Sequence, residues 1–177
     1  MTSSASRGFT LIELMITIAV LAIGSALAYP AFSGAMRSNR VATTTNGLIA
    51  AFNLARSEAI RSNHQGGVCP SSDGATCEGT DWSVGFMAYE DVDSSSTFSA
   101  GDRVLRYFEG NPTMVLTGTA SEGGGGIEQI TFQRTGRIVE AAQVDVRVND
   151  CEEGQPYRNL LFVGPTGQTR MEKPQCD

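Results

Sequence analysis

The strongest constraint on this chain is a run of 19 residues, Leu14–Phe32, that contains no charged side chain. As a helix it would be about 28 Å long, close to the thickness of a bilayer's hydrocarbon core. A cleaved secretory signal would show a basic flank, a shorter apolar core and small residues at a cut site beyond it. Here the flanks differ: Arg7-Gly8 comes directly before the run, and Glu13 lies in its first turn. A carboxylate inside an apolar segment is costly unless it finds a partner, so Glu13 needs a reason. The positive end of the helix dipole is one, worth about 0.3–1 kcal/mol, which does not account for the whole pattern.

Beyond Phe32 the helix is expected to continue as an amphipathic one. Val41, Leu48, Phe52, Ala55 and Ala59 recur at near-helical spacing, with Arg37, Arg40, Arg56, Glu58 and Arg61 on other faces. Stop signals at Asn63, Gly66 and Gly67 place its end near Ser62–Gly67. Pro30 removes a backbone hydrogen bond and should kink the helix, and Gly24 weakens the same stretch. The resulting division is 1–8, a short polar leader; 9–34, an apolar helix; 35–64, its amphipathic continuation; and 65–177, a globular β-rich part.

In that last part the period shortens. Candidate strands are Trp82–Tyr89, Arg103–Phe108, Met114–Thr117, Ile127–Gln133, Gln143–Val148, Arg158–Val163 and Thr169–Glu172, separated by Gly, Asp, Asn and Pro. The fold class is therefore α+β, a long helix packed on an antiparallel sheet. Cys69, Cys77, Cys151 and Cys176 all lie beyond the apolar run. An even number of cysteines in an exported domain implies two disulfides. Three pairings exist, and sequence proximity favours Cys69–Cys77 with Cys151–Cys176. The spacings do not suit zinc, and His64 is the only histidine.

Chemistry-bearing motifs are few. Gly123–Gly126 reads as a flexible loop, since no Lys-Ser/Thr follows it. Asp91, Asp93, Ser95 and Asp102 partly fit a calcium loop. However, Ser96 stands where the turn glycine belongs and Asp102 where a bidentate Glu belongs, so an acidic solvated hairpin loop is the expectation. No nucleophile elbow or catalytic constellation is visible, so neither an enzyme nor a cofactor is expected. The net charge of −6 argues against long-range attraction to nucleic acid.

Arg7-Gly8-Phe9-Thr10-Leu11-Ile12-Glu13-Leu14 resembles the processing site of type IV prepilins and type II secretion pseudopilins. The resemblance implies a prepilin peptidase cut between Gly8 and Phe9, N-methylation of Phe9, and a filament-assembly role for Glu13. It further implies an inner-membrane precursor with its globular part in the periplasm, and an extracellular filament after assembly. Leu54–Ala59, Cys69, Asp81–Phe86 and Gly101–Arg106, in that order, resemble the minor-pilin group containing FimU, FimT and pseudopilin H. The implied function is a minor pilin that primes or caps pilus assembly with other minor pilins and the major pilin. Two alternatives share the resemblance: a type II secretion pseudopilin and a DNA-binding pilin of natural transformation. The latter carries a C-terminal Gly-Arg-x-Arg signature. Here the nearest match is Gly167-Gln168-Thr169-Arg170, leaving Arg170 and the nearby Lys173 as DNA-binding candidates.

Overall fold

In a computed structural model the chain is described over residues 9–121 and 123–177, the side chains of 27–31 excepted. The expected leader at residues 1–8, Gly8 included, lies outside these described residues, whereas one helix runs unbroken through Pro30, where a kink is expected. Helix α1 (Leu11–Ser62) is followed by eight strands: β1 (Gln65–Pro70), β2 (Gly85–Asp91), β3 (Arg103–Glu109), β4 (Met114–Ala120), β5 (Ile130–Phe132), β6 (Ala142–Val148), β7 (Arg158–Val163) and β8 (Thr169–Glu172). A 3-10 turn, Trp82–Val84, leads into β2. The strands form two four-stranded antiparallel sheets, ordered β3-β2-β1-β5 and β4-β6-β7-β8. The chain divides into two compact units, residues 1–37 and 38–177.

The second unit is organised by one stripe of its helix. Val41, Thr45, Leu48, Phe52, Ala55 and Ala59 are buried, at alternating steps of four and three that keep them on one face. They share a core with Val68, Phe86 and Ala88 of the first sheet and with Val144, Val146, Val148, Leu161 and Val163 of the second. In β6 burial alternates strictly, the signature of a strand with one face on a core. By contrast, every residue of β2 is buried, because the first sheet is covered on both faces. Phe86 and Ala88 face the main core; Met87 and Tyr89, with Cys69, face a second cluster roofed by Cys77, Phe98 and Tyr107. Trp82 is fully buried and its indole N–H donates to the Ile127 carbonyl at 2.9 Å.

Two polar devices fix the helix against the sheets. Asn159 donates from Nδ2 to Thr45 Oγ1 at 2.9 Å in the buried seam. Arg56 donates from Nε to the Gly136 carbonyl and from Nη2 to the Thr166 carbonyl, each at 3.0 Å, joining the turns after β5 and β7. Both disulfides form in the proximity pairing, Cys69–Cys77 and Cys151–Cys176.

Three expectations need correction. Gln65–Pro70 is a central strand, not merely a helix stop. Gly66 and Gly67 serve close packing there: a Cβ at Gly66 would run into the Ala55 carbonyl, and one at Gly67 into the Tyr89 ring on the opposite face. Glu58 is buried, not on a solvent-facing side, since it completes a cluster of charges. Of the acidic loop, Asp91 is fully buried, so that loop is not simply solvated.

Candidate assembly elements

Thr10 starts α1 by accepting a hydrogen bond from the Glu13 amide at its hydroxyl, 3.2 Å, and from the Leu14 amide at its carbonyl, 3.1 Å. The first turn thus holds the Glu13 carboxylate at the positive end of the helix dipole. Within the first unit every described residue from Phe9 to Ala26 is exposed. Phe9 is 83% accessible, Leu21 68% and Ile23 65%. A helix that is apolar on all sides is stable only when something covers it, either lipid or other apolar helices. Among the described residues no helix is long and apolar enough to cross a membrane. Among the described residues Glu13 has no ion-pair partner.

The C-terminal candidates are brought to the edge strand β8 and just beyond it. Arg170 pairs with Glu172 at 3.0 Å and lies over the Phe162 ring, 5.0 Å from its centroid. Lys173 follows β8 and is exposed. The carboxylate on Arg170 halves the local positive charge that two cations would otherwise offer a phosphate.

Sequence reasoning missed the charge cluster where α1 meets the first sheet. Glu58 accepts from both Arg61 and Arg103; Glu90 accepts from Arg103 Nε at 2.9 Å and meets His64 Nδ1 at 3.0 Å. The bond to His64, then those from Arg103 and Ser62, hold the Glu90 carboxyl well down, to about 2, against the opposing effect of burial. Glu58 is also lowered, mainly by its bond to Arg61. A signal was present: Glu58 lies three residues after Ala55 and seven after Ala51, inside the core stripe. A charge there requires partners.

Asp91, Asp93 and Asp102 bring carboxylate oxygens within 4.8 Å of one another. Asp91 accepts from the Ser95 and Ser96 amides, Asp93 from the Ser95 amide, and Asp102 from the Val92 and Ser99 amides. These three acids fold the loop that carries Phe98 onto Tyr89, whose phenol is pushed up by burial.

A long N-terminal helix, apolar all round before it enters a core of antiparallel sheets, together with two disulfides, defines a pilin-like subunit. Two family models match: a prokaryotic N-terminal methylation motif over residues 3–29 and Type II transport protein GspH over residues 44–167. The chain belongs to this GspH family. Among solved structures it is similar to the type IV minor pilin FimU of Pseudomonas aeruginosa, with TM-score 0.56 and 20% identity over 78% of this chain and 95% of that one. It is also similar to the minor pseudopilin EpsH of the Vibrio cholerae type 2 secretion system, with TM-score 0.52 and 14% identity over 76% and 97%. A second structure of that pseudopilin gives TM-score 0.55 at 12% identity over 79% and 98%. These identities establish a shared fold. No curated protein matches.

Proposed function

We propose that this chain is a minor subunit of a type IV pilus that primes or caps assembly in a tip complex with other minor pilins and the major pilin. The exposed apolar first unit supports this reading most: it needs lipid before assembly and other rods afterwards. The precursor then spans the inner membrane once, with the disulfide-bonded sheets in the periplasm. Prepilin peptidase cuts between Gly8 and Phe9 and methylates Phe9, and the new N-terminus of a neighbouring subunit pairs with Glu13. The role is one of assembly and involves no catalysis.

Mass spectrometry of the mature chain should find N-methylated Phe9 as its first residue and the loss of Arg7's charge, from −6 to −7. An intact leader in a peptidase-competent host overturns the reading. Glu13→Ala should still insert in the membrane but enter filaments poorly; normal incorporation removes the pairing role. The matching family model favours one second reading, a pseudopilin of type II secretion. A deletion strain separates the two: loss of surface pili supports the first, and loss of enzyme secretion with pili intact supports the second.

A further inference from the structure

Two antiparallel sheets have four edges, and this chain treats them unequally. The outer edge of β4 is closed: the Leu116 amide donates to Ser83 Oγ, the Ile127 amide to the Gly118 carbonyl and the Ala120 amide to the Gly125 carbonyl. That of β5 is closed by the Gln133 amide on the Arg137 carbonyl and the Val139 amide on the Thr131 carbonyl. The β8 edge is only four residues long and runs into Lys173-Pro174. The fourth, β3, has seven residues, about 23 Å of strand, and among the described residues nothing bonds its outer main chain. Exposed edges are normally blunted by charge. Of the three charged side chains on this strand Arg103 is turned back onto Glu58 and Glu90, leaving Arg106 and Glu109 exposed.

What remains along β3 has the character of a receptor. Arg106 is exposed, has no carboxylate partner among the described residues, and is steadied over the Phe108 ring at 4.7 Å. At the C-terminal end of the strand lies an open groove of about 390 Å³, where Val84, Tyr107 and Pro112 offer apolar surface beside the carboxylate of Glu109. A strand added to a sheet edge gains affinity from main-chain bonds and specificity from such pockets for its side chains.

Resting on the filament reading above, we propose that the free edge of β3 receives an extended segment from the globular part of a neighbouring, different pilin subunit. The segment presents a carboxylate to Arg106 and an apolar side chain to the Val84–Pro112 groove. Charge complementarity sets the placement of that carboxylate. It answers Arg106, the cation on this edge that is steadied over a ring and has no acid partner among the described residues, while the part of the segment beside the exposed Glu109 of the groove carries no acid.

The test uses the full processed chain, alone in detergent and assembled into filaments with its co-expressed partner pilins. Hydrogen exchange should slow at least tenfold at residues 103–109 on assembly and stay unchanged at 169–172. Arg106→Glu should lower incorporation roughly tenfold, and Arg106→Lys should restore most of it. Arg106→Gln, with an unchanged melting temperature, controls for loss of fold and should fall between them. Normal incorporation of Arg106→Glu with unprotected β3 overturns this inference and leaves the filament reading standing. Protection of β3 in this chain alone points to self-pairing and likewise overturns it. A wild-type chain that enters no filament overturns both.

Discussion

Gly66 and Gly67 occupy adjacent positions of one strand and face opposite obstacles, the Ala55 carbonyl and the Tyr89 ring. The first obstacle is backbone and cannot move without shifting the helix. Gly66→Ala should therefore destabilise the globular unit by about 2–4 kcal/mol, read as a lower midpoint in urea unfolding. Gly67→Ala meets a side chain that can rotate, although Tyr89 is itself packed in its cluster, and should cost less. A second residue-scale consequence concerns acid. Glu90 holds its proton less tightly when folded, about 2 against an ordinary 4.5, so unfolding takes up a proton in the interval between them. The stabilisation is complete above about pH 5 and fades as pH falls toward 2, on the order of 3 kcal/mol in all. Glu90→Gln should flatten the acid limb of a stability–pH curve between those limits. An unchanged limb would show that the cluster does not set it.

Elements were legible where a single period governed them. The end of α1 at Ser62 followed from Asn63, which takes a left-handed conformation there (φ 61°), and β7 and β8 have the bounds that their alternation implied. The strand β1 was illegible because close packing against α1 and Tyr89 requires glycine, and glycine in sequence reads as a break. The segment Ile127–Gln133 shortened to β5 because Ile127 instead pairs with Gly118 and accepts the Trp82 N–H. Phe9 and Glu13 stand out in the sequence by their place at the start of the apolar helix, whereas the unbonded edge of β3 required knowing which strands the loops cover. Arg56 also read only as a polar-face residue, yet it ties two turns to the helix. Arg56→Ala leaves two carbonyls without their donor and should cost about 1–3 kcal/mol. Hydrogen exchange should quicken in residues 133–138 and 164–168 before it quickens elsewhere.

At the scale of the molecule, the two disulfides close loops of unequal length, 8 residues for Cys69–Cys77 and 25 for Cys151–Cys176. Constraint of the unfolded chain grows with loop length, so Cys151→Ser with Cys176→Ser should cost about 3 kcal/mol, more than the equivalent change at the shorter loop. Thermal unfolding of the two double variants would rank them, and the opposite order would show that local packing outweighs chain entropy. The terminal Asp177 would lose its anchorage as well, for it pairs with Arg158 beside the tie. The buried Thr45–Asn159 bond matters in a different way. If the sheets slid one helical turn along α1, the amide would face Val41 or Leu48 of the same buried stripe in place of the Thr45 hydroxyl. In the filament proposed above, tension would act along that helix axis and the pair would serve as a detent, so that the unit should give way by unravelling rather than by creeping along its own rod.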